Sequence, residues 1–156
     1  MELDANGLEV LPPAECVRLL RTQSLGRMGL SADALPIVLP VNYVVMGDFV
    51  VIRTGRGTRL AAATRNAIVA FEVDEVDPET GLGWSVMVQG LARESTPATA
   101  EELANEPALA RWMDPDTSKH FSISIDLVSG RRLLTTSRPL VSDPESETIS
   151  DHGVAP

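Results

Sequence analysis

The sequence predicts a mainly β domain of the α+β class, an antiparallel barrel of six to seven strands with short flanking helices. Short runs rich in valine, isoleucine and leucine recur along most of the chain, and such runs favour strands. Most neighbouring runs are separated by a few polar residues, which can form a turn but not the long crossover that parallel strands need. A closed barrel leaves no strand edge exposed, so it suits this many short strands.

Three short helices are predicted beside the strands. The first begins at a pair of prolines, which favour the first turn of a helix, and places Cys16, Leu19 and Leu20 at helical spacing. The second begins near Thr58, a residue type that caps helices, and the third is interrupted at Pro107. The predicted helices cover 12–21, 58–64 and 99–112.

The strands are predicted from the apolar runs and from the turns between them. Gly47 and Asp48 form a hairpin signal, and 32–34 is a polar turn. The acidic stretch 74–83 contains proline and glycine and predicts an exposed loop rather than a calcium site, because its acids lack the spacing of a calcium loop. The predicted strands are 26–31, 37–45, 49–53, 67–73, 84–93, 121–128 and 130–135.

The composition predicts one globular domain over 1–136 and a mobile, acidic tail over 137–156. The chain has 156 residues, of which 44% are hydrophobic, and a net charge of -9. This charge argues against nucleic acid and anionic membrane surfaces as partners. No apolar stretch is long enough to span a membrane, and no signal peptide is recognisable. The single Cys16 fits a reducing compartment, so we expect a cytoplasmic protein.

One stretch of this acidic chain is basic. Residues 49–71 contain four arginines and no acid, and within them an apolar strand is followed by Thr-Gly-Arg-Gly-Thr-Arg-Leu at 54–60. Glycines let backbone N–H groups turn toward an anion, and arginine offers a planar fork to phosphate oxygens. The segment therefore predicts binding of a phosphorylated small molecule. The alternative is a plain hairpin with solvated arginines.

The chain lacks the residue patterns of catalysis by side chains alone. Its two histidines, His120 and His152, do not combine with cysteine or acids at metal-binding spacing. Neither a nucleophile elbow nor a P-loop is present. We therefore predict no metal site, assign no catalytic residue and expect a cofactor to supply the chemistry. His120 is interpreted as a surface or packing residue.

Five segments of the chain follow one another in a characteristic order and spacing. They are 25–31 (LGRMGLS), 35–43 (LPIVLPVNY), 51–60 (VIRTGRGTRL), 69–74 (VAFEVD) and 83–90 (GWSVMVQG). Together they resemble the pyridoxamine 5'-phosphate oxidase-like family of flavin-binding split barrels, in its actinobacterial, oxidase-like branch. The resemblance implies a homodimer of split β-barrels. It also implies that flavin mononucleotide (FMN) lies in the cleft between the subunits, beside a small-molecule substrate.

The resemblance also implies which residues hold the cofactor. The strand 38–43 would run beside the isoalloxazine ring and bond its polar edge through backbone groups, and the segment 53–60 matches the stretch that holds ribityl and phosphate. Ser85 matches a polar position near the ring, and Trp84 either covers the cleft or packs in the core. The implied cofactor-binding residues are Val38, Leu39, Pro40, Val41, Asn42, Tyr43, Arg53, Thr54, Thr58, Arg59, Leu60, Trp84 and Ser85.

Two polar side chains of the strand 38–43 have more than one interpretation. Asn42 is unusual in a strand, and it either bonds the cofactor or caps a bulge. Tyr43 is the only tyrosine of the chain, and it is either a proton donor or a packing residue.

Departures from the family pattern bear on function. Val38 stands where the oxidase has an arginine, Leu60 stands where its phosphate motif has a lysine, and its C-terminal substrate motif is absent. We therefore expect FMN-dependent oxidoreduction of a weakly polar substrate rather than oxidation of pyridoxamine phosphate. Two alternatives stay open. One is a deazaflavin-dependent reductase, whose acidic cofactor tail Arg27, Arg56 and Arg65 would bind, and the other is a non-enzymatic flavin or haem binder.

Overall fold

The computed structural model describes residues 1–55, 64–96, 103, 106–109 and 118–133. Over these residues the chain forms nine strands, one α-helix and one 3-10 turn. The elements are β1 Glu2–Leu3, β2 Glu9–Leu11, α1 Pro13–Leu20, β3 Leu25–Ala32, β4 Leu35–Met46, β5 Phe49–Gly55, β6 Ile68–Val76, β7 Gly83–Glu94, the 3-10 turn Pro107–Leu109, β8 Ser118–Ser124 and β9 Leu127–Leu133.

Six strands form a closed antiparallel barrel. β3 pairs with β4 and β6, β4 with β5, β5 with β8, and β6 with β7. The barrel closes because β7 also pairs with β8. The remaining three strands extend the sheet outward from β7 in the order β9, β2, β1. The predicted mainly β antiparallel barrel is confirmed, whereas the short edge strands β1 and β2 are not among the predicted elements.

β7 pairs with β6 along one edge and is long enough to pair with two further strands along its other edge. Its residues 83–89 pair with β9, and its residues 92–94 pair with β8. Gly90 lies where the partner changes. A Cβ atom on this residue would lie 3.0 Å from the carbonyl oxygen of Ser124 and 3.4 Å from Cγ2 of Ile123. The glycine therefore permits the close backbone approach that the change of partner requires.

The barrel interior is the main hydrophobic core, and it follows the alternation of side chains along the strands. On β5, Val50 and Ile52 are fully buried in this core. Tyr43 and Phe71 meet edge to face, with ring centroids 4.8 Å apart. Helix α1 packs against β9 and β7, and it is tied to the barrel because the hydroxyl of Tyr43 donates to the carbonyl oxygen of Leu20 at 2.5 Å.

The hairpin of β6 and β7 is longer than predicted. The sequence predicts a loop over 74–83 because the stretch is acidic and contains proline and glycine. The structure continues β6 through Val76, which pairs with Gly83, and the carboxylate of Asp77 accepts from the backbone N–H of Glu79 at 2.9 Å in the turn. The loop prediction is wrong for 74–76, where pairing with β7 outweighs the acidic composition.

The single strand predicted over 121–128 is wrong. β8 ends at Ser124 and β9 begins at Leu127. The apolar alternation continues through the turn between them, where Ile125 is buried but Leu127 is 66% exposed. The side-chain hydroxyl of Ser124 and the carboxylate of Asp126 are hydrogen-bonded across this turn. Alternation alone therefore does not reveal where one strand ends.

Several predicted segments fall outside the described residues. They are most of the helix 58–64, most of the helix 99–112 and the tail 137–156. In the described part of the predicted helix 99–112, Pro107–Leu109 form a 3-10 turn, so the predicted interruption at Pro107 is present. No helix in the described part of the chain is long and apolar enough to cross a membrane.

Candidate functional site

β4 and β5 separate at one end of their ladder. They pair over 43–46 on β4 and 49–52 on β5. Beyond this ladder β4 continues to pair with β3 over 35–42, and β5 continues to pair with β8 through Gly55. Within the described residues, no strand pairs with the facing edge of β4 over 35–42. We call this opening the β4–β5 split.

Backbone polar groups of β4 point into the split. The N–H of Tyr43 donates to the carbonyl oxygen of Ser24 at 3.1 Å, on the β3 side. Backbone groups of successive residues point to alternate edges of a strand, so those of Val38 and Asn42 point to the opposite edge. The nitrogens of the two prolines of β4 lie on this same opposite edge. A strand tolerates proline there because no hydrogen bond to a neighbouring strand is lost. The split thus presents backbone N–H and C=O groups that no described strand uses.

The side chains of the strand 38–43 divide between the barrel interior and its outer face. Val41 is buried inside, and Leu39 is half-buried. On the outer face Val38 is 68% exposed, and Asn42 is half-buried, with its Nδ2 donating to the carbonyl oxygen of Ser24 at 3.4 Å. The outward-facing residues of this strand are Val38, Pro40 and Asn42.

Tyr43 is a packing residue. Its ring contacts Phe71, and its hydroxyl donates to the carbonyl oxygen of Leu20. Burial raises the pKa of Tyr43 well above its usual value. The hydroxyl is therefore held inside the protein and not in the split, which supports the packing interpretation over that of a proton donor.

Arg53 is buried on the outer face of β5, where the chain around Leu109 covers it. It is 4% exposed. Its Nη1 donates to the carbonyl oxygen of Leu109 at 2.9 Å, whereas Nε and Nη2 are buried without a hydrogen-bond partner among the described residues. An unpaired buried polar group costs about 1–3 kcal/mol. Two unpaired guanidinium nitrogens therefore mark a place that acceptor atoms of a ligand could complete.

Thr54 has an unpartnered polar atom on the opposite face of β5. The residue is fully buried, and within the described part of the chain its Oγ1 has no hydrogen-bond partner. Neighbouring residues of a strand point to opposite faces, so Thr54 points toward the barrel interior and Arg53 away from it. The structure thus places these two predicted ligands side by side along the split, with their side chains on different faces.

His120 is a buried basic residue beside Arg53, a position that the sequence interpretation did not predict. It is 7% exposed, it lies opposite Arg53 in the ladder of β5 and β8, and no described residue is a hydrogen-bond partner of its Nε2. Burial and, next, the charge on Arg53 lower the pKa of His120 below its usual value. Only the pairing register brings these two basic residues together, and the sequence carries no local signal for it.

Two of the three arginines considered for a deazaflavin tail are engaged in ion pairs, and the third, Arg56, lies outside the described residues. Arg27 pairs with Asp74 at 2.8 Å, and Arg65 pairs with Glu94 at 2.9 Å. Among the described residues, no group of three or more His, Cys, Asp or Glu side chains could hold a metal ion. The predicted phosphate-binding residues that lie outside the described residues are Thr58, Arg59 and Leu60.

Trp84 and Ser85 lie on β7, away from Arg53 and Thr54. Trp84 is partly buried against the barrel core, and its Nε1 donates to a carboxylate oxygen of Glu75 at 3.2 Å. It also lines an open cavity of about 680 Å³, whose described lining does not include Arg53 or Thr54. Ser85 is exposed beside it. Trp84 therefore packs on the barrel core and borders this cavity, and its place at the cofactor cleft stays a prediction.

Comparison with known proteins places this architecture in a family. The family profile described as pyridoxamine 5'-phosphate oxidase matches residues 12–132, which include the barrel and the split. A curated relative, the uncharacterized protein Rv0080 of Mycobacterium tuberculosis, is 33% identical over 130 residues, covering 80% of this chain and 84% of the relative.

Solved structures agree with the profile. The FAD-binding protein of Mycobacterium smegmatis is 34% identical with a TM-score of 0.67, covering 81% of this chain and 100% of that one. A conserved protein of unknown function from Corynebacterium diphtheriae is 27% identical with a TM-score of 0.66, covering 81% of this chain and 98% of that one. By its profile match, its relatives and its fold, the chain belongs to the pyridoxamine 5'-phosphate oxidase family.

Proposed function

We propose that the protein binds FMN in the β4–β5 split and acts as a flavin-dependent oxidoreductase on a small, weakly polar organic substrate. The observation that carries the proposal is the open backbone edge of β4 beside the buried, unpartnered polar atoms of Arg53 and Thr54. The FAD-binding protein of M. smegmatis, at 34% identity, supports a flavin as the ligand.

The residues of the split match the polar parts of a flavin. The pyrimidine edge of an isoalloxazine ring alternates hydrogen-bond donors and acceptors, and the backbone of Val38 and Asn42 offers the complementary groups. Thr54 can exchange a hydrogen bond with a ribityl hydroxyl, and the guanidinium of Arg53 can donate to an anion. By resemblance, the segment 58–60 adds a hydroxyl and a second arginine for the phosphate.

A bound flavin supplies the transfer of a hydride or of single electrons. The chain's own part is to hold one edge of the ring, to exclude water from one face and to shape the substrate pocket. Val38 is exposed and apolar where the oxidase has an arginine, so the pocket lacks that charge for a phosphorylated substrate. We therefore propose flat, weakly polar substrates such as quinones, nitroaromatics or conjugated carbonyls.

A second copy of the chain is proposed to complete the site. The outer face of β3, β4, β6 and β7 exposes large apolar side chains, with Val38 68%, Ile68 73% and Met87 39% exposed. Gly29 and Ala70 lie opposite each other between them, so the centre of this face is flat. An apolar, flat sheet face suits association with an identical face, and the split opens at its border.

Light scattering tests the homodimer. We expect a mass near twice the chain mass of 16.7 kDa. Ile68→Asp, on the apolar face, is expected to shift the mass to that of the monomer. Leu3→Asp, on the edge strand β1, is the matched control and is expected to leave the dimer intact. A wild-type monomer that still binds flavin would contradict a cleft between subunits.

The deazaflavin alternative has less support. Two of the arginines that would bind its acidic tail, Arg27 and Arg65, are paired with Asp74 and Glu94. Absorbance of the reconstituted protein separates the alternatives, because FMN, a deazaflavin and haem have different spectra. Haem would give a Soret band instead of the flavin bands that we expect.

Reoxidation of the reduced flavin tests the reaction. The FMN-loaded protein is reduced anaerobically and mixed with a quinone, a nitroaromatic or a conjugated carbonyl. Pyridoxamine phosphate donates electrons, so it is mixed separately with the oxidised protein, and reduction of the flavin is followed. We expect at least one weakly polar acceptor to reoxidise the flavin faster than oxygen does. Efficient reduction of the oxidised flavin by pyridoxamine phosphate, with failure of all three acceptors, would contradict the proposed substrate class. Failure of all acceptors would favour a flavin-storage or sensing protein.

A further inference from the structure

Arg53 and His120 form a cross-strand pair under a common cover. They lie opposite each other in the ladder of β5 and β8. The carbonyl oxygen of His120 accepts from the N–H of Ser95 at 2.9 Å on the far edge of β8. The pair is therefore of the non-hydrogen-bonded kind, in which opposite side chains lie closest. Both side chains point to the outer face of the barrel, which Leu109 covers.

Both side chains are more than nine-tenths buried and incompletely hydrogen-bonded. Arg53 is 4% exposed and His120 is 7% exposed. Three nitrogens of the pair, Nε and Nη2 of Arg53 and Nε2 of His120, have no hydrogen-bond partner in the ranges that the structure describes. Two adjacent basic groups disfavour each other's charged form, so neither accounts for the burial of the other. Acceptor oxygens of an anion would satisfy all three nitrogens at once.

We propose that Arg53 and His120 form an anion pocket that takes the phosphate group of a small molecule, with His120 as a binding residue. The bond from Nη1 of Arg53 to the carbonyl oxygen of Leu109 fixes the guanidinium and leaves its other nitrogens for the ligand. The inference rests on the proposed function in one respect, because the phosphate that occupies the pocket can be that of the bound flavin. Alternatively, it can be that of another phosphorylated small molecule.

The charged surroundings of His120 predict how binding depends on pH. The charge of Arg53 on β5 opposes protonation of His120. Arg93 on β7 is exposed on the same outer face, Glu106 is the acid in the described part of the cover, and Glu94 is engaged in ion pairs on the opposite face. A bound dianion adds negative charge beside the imidazole and favours its protonated form. Binding therefore takes up a proton, and affinity falls as pH rises.

Sulfate is the probe that isolates His120, because it is a tetrahedral dianion whose own charge does not change near neutral pH. Calorimetric titration compares wild type, His120→Leu and His120→Gln between about pH 5 and about pH 8, a range that brackets histidine titration. Wild type is expected to bind more tightly at the lower pH. His120→Leu is expected to weaken binding there about ten-fold or more. His120→Gln keeps an N–H donor, so it is expected to bind without the pH dependence.

The control variant is Arg93→Gln, which removes an exposed arginine from the same face and is expected to leave sulfate binding unchanged. Titration with FMN and with riboflavin identifies the source of the anion. If His120→Leu weakens FMN but not riboflavin, the phosphate belongs to the flavin. If only sulfate binding responds, the anion pocket is supported and the phosphate of the flavin is excluded as its ligand.

Two results would overturn the anion pocket. In the first, both His120 variants bind sulfate with the affinity and the pH dependence of wild type. In the second, the wild-type protein binds no sulfate. Either result can coexist with tight FMN binding, in which case the proposed function stands without the pocket. Conversely, sulfate binding that responds to His120 in a protein that binds no flavin supports the pocket and contradicts the proposed function.

Discussion

The substitution Arg53→Met distinguishes an arginine that serves binding from one that serves stability. Methionine keeps much of the side-chain length and removes two buried, unpartnered nitrogens together with the hydrogen bond to the carbonyl oxygen of Leu109. Each unpartnered nitrogen costs about 1–3 kcal/mol, and a hydrogen bond from a charged group is worth about 1.5–3 kcal/mol. Removing both nitrogens gains about 2–6 kcal/mol, whereas losing the hydrogen bond and leaving the carbonyl oxygen of Leu109 unpaired costs about 2.5–6 kcal/mol, so the two contributions nearly cancel. We expect the unfolding free energy of the ligand-free protein to change by less than about 2 kcal/mol.

The assay is urea unfolding of the ligand-free variant, followed by titration with FMN, whose affinity is expected to fall about ten-fold or more. Arg131→Met is the matched control. Its guanidinium donates to Asp4 at 3.0 Å and to the carbonyl oxygen of Gly130 at 2.9 Å, so we expect it to destabilise the protein without changing FMN affinity. A loss of more than about 3 kcal/mol in Arg53→Met, as when a buried ion pair is broken, with unchanged FMN affinity would refute the reasoning.

Two further predictions concern stability. Tyr43→Phe is expected to lower the unfolding free energy by about 1–3 kcal/mol, because the carbonyl oxygen of Leu20 loses its donor; urea unfolding measures this, and unchanged stability would contradict it. Hydrogen bonds from Arg18 and Arg132 hold the pKa of Glu15 at about 2, below its ordinary value of 4.5. The ionised Glu15 therefore stabilises the folded state fully at pH values above its ordinary pKa, and this stabilisation is lost as the pH falls toward the folded-state pKa. Glu15→Gln should flatten that part of the profile of melting temperature against pH, and superimposable profiles would exclude the effect.

Most of the barrel could be predicted from the sequence because its signals are local. The turn at Gly47 and Asp48 needs only a glycine in the left-handed region, and Gly47 has a φ of 57°. The alternation of buried valines and isoleucines along β5 likewise depends on the strand itself. Local sequence patterns did not predict the strands whose formation depends on pairing with another strand. The acidic end of β6 is a strand because β7 pairs with it, and β1 and β2 are too short to show a periodic pattern.

The candidate site was only partly predictable for the same reason. Arg53 and Thr54 stand out in the sequence, and the structure buries both with unpartnered polar atoms. Their placement on opposite faces of β5 follows from strand geometry. His120 could not be recognised, because its meeting with Arg53 depends on the register of two strands that are far apart in the chain. The open edge of β4 also depends on where β5 departs from it.

The measurement that tests the central claim most directly is fluorescence titration with FMN and with riboflavin, which differ only in the phosphate. The proposed function predicts that wild type binds FMN about ten-fold or more tightly than riboflavin. It also predicts that Arg59→Ala removes most of this difference without changing riboflavin affinity, while Arg93→Ala leaves both affinities unchanged. Equal wild-type affinity for the two ligands, or equal FMN affinity in the two variants, would contradict a phosphate-holding flavin site.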